Sequence, residues 1–349
     1  MRIPDPLVED TLMSLREVAR ALVAPGKGIL AADESGGTIK KRFDSIGCES
    51  TEDRRRAYRE MLFTTPGAAA NVSGVILFDE TIRQSASDGR TLVAILESEG
   101  VIPGIKVDKG TVPLHNAPGE LVTEGLDGLG ARLAEYRELG AKFAKWRAVI
   151  DISDTIPTQY CLDVNAHALA RYAALCQQEG IVPIIEPEVL MDGSHSIETC
   201  YDVTLRTLHT VFNACFDQKV DLQGALLKPN MIIPGKKHSG GQATPDAVAE
   251  ATIACFRETV PAAIPGIVFL SGGQSDTEAT ANLDAINKRG PHPWAFSFSY
   301  GRALQAASLS AWKGLDANAA AGQSAYAKRA RLNGAARDGK YDAAMEAAN

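Results

Sequence analysis

Within stretches that otherwise read as buried apolar strands, this 349-residue chain places charged residues in pairs two positions apart: Lys106 with Asp108, Lys145 with Arg147, and Glu186 with Glu188. Lys228 interrupts a fourth such stretch, and Asp33 and Glu34 close a fifth. Residues two apart on a strand project from one face, so Lys145 and Arg147 point together while Trp146 points away, and Glu186 and Glu188 do the same across Pro187. Taking an unpaired charge out of water is expensive. A structural ion-pair network would account for any single pair, but five strands charged near their carboxyl ends point to a site. The residue types then say which chemistry. A lysine at its free pKa of ~10.4 is protonated and not nucleophilic. Desolvation or a neighbouring cation frees the amine, and enzymes that form Schiff bases use both routes. Lys228 is the candidate nucleophile, with Lys145 and Arg147 as candidate cationic neighbours. Glu186 and Glu188 could then move protons through carbinolamine formation and dehydration.

Two further stretches have the composition of phosphate sites. Leu270-Ser271-Gly272-Gly273-Gln274-Ser275 leads into a helix-like segment, and Ser299-Tyr300-Gly301-Arg302 ends a later strand. Glycines let backbone amides approach an anion, a helix N-terminus assists, and Arg302 can add a bidentate contact. Ser35-Gly36-Gly37-Thr38, followed by Lys40, Lys41 and Arg42, forms a similar small-residue loop near the start. Its plainer reading is an ordinary helix entry with solvated basic residues. If both loops bind phosphate, a substrate with a phosphate at each end spans Lys228.

The elements that must position these residues are eight short β-branched runs, at 28–35, 72–80, 102–108, 143–150, 181–190, 224–233, 266–273 and 294–301, most of them leading into a polar or Gly-rich turn. The intervening segments have helical spacing. In 164–180, Leu169, Tyr172, Ala173 and Cys176 recur on one face and Gly180 supplies a stop. Alternating strands and helices imply a parallel sheet. Eight such units predict a (β/α)8 (TIM) barrel rather than an open doubly wound sheet, with no GxGxxG after the first strand. In a barrel the carboxyl ends of the strands carry the active site, and the loops after strands seven and eight carry phosphate. Residues 1–27 read as a helical extension, 302–336 as Ala-rich helix and 342–349 as a loose tail, with no linker dividing 1–349 into more than one domain.

Composition narrows the function classes. The chain carries 36 Lys and Arg against 43 Asp and Glu, a formal net charge of -7, which argues against nucleic-acid or anionic-membrane binding. Hydrophobic residues make up 45% and aromatics 6%, enough for a large aliphatic core. The N-terminus lacks the apolar stretch of a secretory signal, and no apolar run nears the ~20 residues of a membrane helix, so a cytoplasmic protein is expected. Cys48, Cys161, Cys176, Cys200, Cys215 and Cys255 are scattered without a CxxC pair and are expected as reduced, structural thiols. The six histidines show no HExxH or HxH pattern, so a catalytic metal with three protein ligands is not expected.

GILAADES, GVILFDET, GIKVDKG, FAKWR, GIVPIIEPE, LLKPNM, FLSGGQS and FSYGRALQ, in that order, resemble the class I fructose-1,6-bisphosphate aldolases from about residue 15 to 341. The resemblance implies a metal-independent lyase of glycolysis and gluconeogenesis on a (β/α)8 barrel, with no cofactor, usually a cytoplasmic homotetramer. It would cleave fructose 1,6-bisphosphate reversibly to dihydroxyacetone phosphate and glyceraldehyde 3-phosphate, its partners being sugar phosphates. By resemblance, Lys228 is the Schiff-base lysine, Glu186 the main proton-transfer residue with Glu188 beside it, and Asp33 the holder of the C4 hydroxyl. Lys145 and Arg147 sit beside the imine. Ser271, Gly272, Gly301 and Arg302, with Gly273 in the same turn, match the ketose 1-phosphate site. Ser35, Thr38, Arg42 and Lys106 match the region receiving the 6-phosphate.

One departure stands out. Many relatives end in a tail whose terminal tyrosine assists proton exchange at the enamine carbon. The match here stops at Gly339-Lys340-Tyr341, and Tyr341 aligns with an internal residue. Slower enamine protonation, or another group in that role, is the expectation. The alternatives are another Schiff-base barrel such as a transaldolase or deoxyribose-phosphate aldolase, a zinc-dependent aldolase, and a catalytically dead sugar-phosphate sensor. Two phosphate loops disfavour the first, the histidine pattern the second, and the presence of Lys228, Glu186, Lys145 and Asp33 the third.

Overall fold

The structure, a computed structural model, describes residues 6–347. Eight parallel strands close a barrel: β1 (Gly28–Ala32), β2 (Val72–Leu77), β3 (Ile102–Lys106), β4 (Phe143–Ile150), β5 (Val182–Val189), β6 (Leu226–Leu227), β7 (Gly266–Phe269) and β8 (Ala295–Tyr300). Each strand pairs with its sequence neighbours, and β1 closes on β8 through Ile29–Ser299 and Leu30–Tyr300. All eight expected runs are strands. A two-stranded ribbon, Thr111–Pro113 with Leu121–Thr123, was not anticipated, because each arm has only three residues and one ends in proline.

Strand parity divides the side chains. Ile29, Ile76, Phe143, Val182, Ile184, Leu226 and Val268 fill the barrel axis, while Leu30, Val75, Ala144, Trp146, Ile185, Leu227 and Phe269 face the helical layer. Counting on by twos from the inward set leads to Asp33, Lys106, Lys145, Glu186 and Lys228. Below them the interior is closed by aliphatic packing, so the charges can gather only at the upper end. The helix α1 (Pro6–Leu22) plugs the bottom with Leu15, Ala19 and Leu22. Gly74 leaves the room this needs, since a Cβ there would stand 2.7 Å from Leu22. The expected N-terminal helix is therefore part of the barrel core; residues 1–5 of that expectation lie outside the described residues.

The remaining helices are α2 (Gly36–Asp44), α3 (Glu52–Phe63), α4 (Asp79–Ile82), α5 (Leu92–Ser98), α6 (Leu129–Glu138), α7 (Gln159–Gln178), α8 (Ile197–Asp217), α9 (Pro245–Thr259), α10 (Asp276–Lys288), α11 (Arg302–Trp312) and α12 (Ala319–Arg337). The expected single stretch 302–336 is broken between α11 and α12, where Lys313 and Gly314 take left-handed φ of 54° and 72°. The loose tail expected at 342–349 is also corrected. Residues 343–346 form a 3-10 turn, and Glu346 receives bonds of 2.7 Å from the buried Arg329 and 3.0 Å from the Tyr341 hydroxyl. Residues 348–349 lie outside the described set. Alanine-rich composition suggested looseness, but one carboxylate facing a buried guanidinium suffices to dock the segment.

All six cysteines are free thiols, and five are buried. Burial pushes Cys161 and Cys200 up to about 11 and Cys215 and Cys255 up to about 12. Only thiolates react readily. At pH 8 the native protein should therefore offer an aromatic disulfide reagent one accessible thiol, the partly exposed Cys48, which burial also raises, and all six after denaturation. More than one fast-reacting thiol in the native state would contradict this packing. No helix among the described residues is long and apolar enough to cross a membrane.

Candidate active site

The barrel mouth holds a cavity of about 550 Å³ whose lining includes Asp33, Lys106, Lys145, Arg147, Glu186, Glu188 and Lys228. At its floor four groups form a continuous chain. Lys228 Nζ lies 3.1 Å from Glu186 Oε1, Glu186 Oε2 lies 3.2 Å from Lys145 Nζ, and Lys145 Nζ lies 2.7 Å from Asp33 Oδ2. Lys145, Glu186 and Lys228 have side chains at most 5% exposed. Register explains the meeting. β4 and β5 align Arg147 with Glu186, and the Lys228 amide donates to Ile185 O at 2.8 Å, setting Lys228 level with Glu186. Glu186, on the strand between those of Lys145 and Lys228, stands between the two cations, its two oxygens dividing them.

The charges set one another's ionisation. Burial would raise the Asp33 carboxyl, but the ammonium charges of Lys145 and Lys228 outweigh it and hold Asp33 well below the usual carboxylate range. Burial would lower Lys145, yet Asp33, Glu186 and Asp108 hold it above the ordinary lysine value. Lys145 is thus a fixed cation and Asp33 a fixed anion throughout the neutral range. Arg147, half exposed, is turned to Glu188, and Lys106 is engaged by Asp108 at 2.7 Å.

Glu34 borders the cavity but is committed to other partners. One residue past Asp33, it has the opposite parity, faces the helical layer and accepts from Arg59 at 2.7 Å and Gln305 at 2.8 Å while pairing with Arg42. Arg42 is drawn by this pairing to the β8 side, where a Cβ on Gly301 would stand 3.6 Å from its guanidinium. Arg59 escaped the sequence reading because a lone helical arginine carries no signal of burial. Ser299 joins the site as well. It is 1% exposed, lines the cavity, and its Oγ meets no partner among the described residues. The alternation Ser297-Phe298-Ser299 on β8 would have revealed a small polar group facing inward.

The two loops border the floor from neighbouring strands, since β1 pairs with β8. Ser271 and Gly272, with Gly301 and Arg302, wall the β7–β8 side. Gly272 and Gly273 take positive φ of 57° and 93°, a turn that L side chains resist, and α10 follows directly with a Ser275–Glu278 capping box. Gly273 does not line the cavity; a Cβ on it would point toward Lys236 and toward the end of Arg302, which does. After β1, Ser35 caps α2 without a side-chain bond to its amides, and Ser35 Oγ and Thr38 Oγ1 are 3.2 Å apart; both line the cavity with Lys106. Both small-residue loops thus open onto the same cavity as Lys228. Tyr341 lines a different hollow, between α10 and the loop before α9.

The sequence profile of the family described as fructose-bisphosphate aldolase class-I matches residues 14–349. The chain belongs to the class I fructose-bisphosphate aldolases. It is 56% identical over 332 residues to a probable fructose-bisphosphate aldolase class 1 of Xylella fastidiosa (strain 9a5c), covering 95% of this chain and 99% of that one. It is 54% identical over 318 residues to fructose-bisphosphate aldolase 4, cytosolic, of Arabidopsis thaliana, covering 91% and 81%. The fold superposes with a TM-score of 0.95 and 48% identity, over 98% of both chains, on the fructose-bisphosphate aldolase of Plasmodium falciparum, solved with TRAP and a small-molecule inhibitor. As a class I aldolase the chain is a metal-independent lyase that cleaves fructose 1,6-bisphosphate through a lysine Schiff base in glycolysis.

Proposed function

We propose that the aldol cleavage takes place on the floor described above, with Lys228 as the nucleophile. Glu186 takes a proton from the Lys228 ammonium, and the freed Nζ attacks C2 of the ketose. Glu186 passes that proton to the carbonyl oxygen and then moves the surplus nitrogen proton to the carbinolamine hydroxyl. Loss of that oxygen as water leaves the iminium. With Asp33 holding the C4 hydroxyl, Glu186 takes its proton, the C3–C4 electron pair moves to C3, and glyceraldehyde 3-phosphate departs from the resulting enamine. A proton returned to C3 and water added to the imine then release dihydroxyacetone phosphate and free Lys228. Lys145, cationic at all stages, balances the Asp33 and Glu186 charges, and Arg147 with Glu188 bounds the site toward Lys106. The observation that carries this reading is the unbroken Lys228–Glu186–Lys145–Asp33 chain, which puts a proton carrier between nucleophile and cation.

In the same reading Ser271, Gly272, Gly301 and Arg302, backed by Gly273, take the 1-phosphate, and Ser35, Thr38 and Lys106 take the 6-phosphate. Arg42, implied by resemblance for the 6-phosphate, is better placed near Gly301 for the other end. The whole is a single domain, working as a homotetramer in the cytoplasm, a setting supported by the cytosolic Arabidopsis relative. Comparing substrates in the presence of EDTA tests the two-phosphate arrangement. Fructose 1,6-bisphosphate should be cleaved with a kcat/KM at least ~100-fold above that of fructose 6-phosphate, since one lost charge-assisted phosphate site removes about 3 kcal/mol. Equal use of the two sugars would favour a transaldolase-like reading.

A further inference from the structure

Lys236, in the loop after β6, stands over the glycine turn of the β7–β8 phosphate loop. A Cβ placed on Gly273 would lie 2.4 Å from Lys236 Nζ, 2.7 Å from its Cε and 3.2 Å from an Arg302 guanidinium nitrogen. Two cations therefore converge on one point beside Gly273, through space that only glycine leaves open. Like charges so placed repel unless an anion lies between them. Lys236 has one carboxylate nearby, Asp192 at 2.7 Å, whose side chain is 61% exposed and well screened by water. Arg302 is exposed at the first turn of α11 and meets no carboxylate among the described residues. The backbone holds the lysine in place: its amide donates to Met191 O at 2.7 Å and the next amide to Gly193 O at 3.0 Å.

We propose that Lys236 is a further phosphate-binding residue of the aldolase site, meeting the substrate's 1-phosphate at the outer rim together with Arg302. This rests on the reading of the β7–β8 loop as the 1-phosphate site. A phosphate between the two cations accepts from both at ordinary charge-assisted distances of ~2.7–2.9 Å. Asp192 keeps the ammonium over the turn while the site is empty and yields it to the more highly charged phosphate.

Steady-state kinetics of the full chain with fructose 1,6-bisphosphate and with fructose 1-phosphate provide the test, using Lys236→Met, Lys236→Arg and Asp192→Asn. Lys236→Met should raise KM about five- to tenfold for both sugars, since both carry the 1-phosphate, with kcat changed less than about twofold. Inhibition by inorganic phosphate should weaken by a similar factor, Lys236→Arg should recover most of the loss, and Asp192→Asn should strengthen phosphate inhibition. Unchanged KM for both sugars in Lys236→Met would overturn the proposal, as would a rise confined to the bisphosphate, which would assign Lys236 to the other end. A wild-type enzyme that forms no imine on Lys228 would sink the underlying site reading instead, and borohydride trapping reports that separately.

Discussion

Lys228→Met reduces kcat for fructose 1,6-bisphosphate cleavage by at least ~10^4-fold, because without the amine no imine forms and no other group on the floor can act as the electron sink. The variant should stay folded. Methionine matches the lysine stem in length and lies among buried neighbours, and Glu186, losing one cation, keeps Lys145 at 3.2 Å. Circular dichroism with a thermal scan should therefore place the variant within a few degrees of the wild type. Substrate should still bind, since both phosphate loops are untouched. Equilibrium titration would show a Kd for fructose 1,6-bisphosphate within about tenfold of the wild-type KM. A variant retaining a tenth of the activity would remove Lys228 from its assigned role.

Lys145→Met is the more damaging change for the protein as a whole. It leaves Asp33 without its 2.7 Å partner and Glu186 with only Lys228. Breaking a buried pair from one side typically costs about 3–5 kcal/mol, because the abandoned charge stays buried. Activity should fall about 10^3-fold, since Asp33 then loses the cation that keeps it ionised and Glu186 loses one of its two orienting contacts. The pH dependence follows from the direction of each shift. Asp33 is depressed in the folded state, so its contribution is full above the ordinary carboxylate range, near ~4, and is lost as pH falls through the folded value. Lys145 is raised, so its contribution is full below ~10.4 and is lost as pH rises through the folded value. Between those limits the difference in stability between wild type and Lys145→Met should be flat, and it should shrink in acid. Denaturant titrations at pH 3, 6 and 9 measure this. A stability difference that varies strongly between pH 6 and 9 would show that another group dominates. Pairing the change with Asp33→Asn should recover part of the loss, as the orphaned carboxylate is then gone.

The barrel was legible because strand and helix periods alternate without interruption, and the site because strand parity is a geometric rule. Once Lys145, Glu186 and Lys228 were recognised as charges on the inward parity, their meeting above an aliphatic floor required only closure of the sheet. Glu34 shows the same rule working in reverse, as its outward parity was readable and matches its burial against Arg59. What could not be read were contacts set by side chains of distant elements. Nothing in the local sequence says that Glu34 would pull Arg42 toward Gly301, or that Lys236 would cross the Gly273 turn. The docking of residues 341–347 depended on one buried arginine in α12 finding Glu346, 17 residues later, a pairing no composition rule signals.

Borohydride reduction in the presence of dihydroxyacetone phosphate and EDTA, followed by digestion and mass mapping, tests the central claim most directly. The account predicts a single three-carbon phosphate adduct, on Lys228, formed in full with the metal chelated. An adduct on Lys145 or Lys106, or none on folded protein, would contradict it.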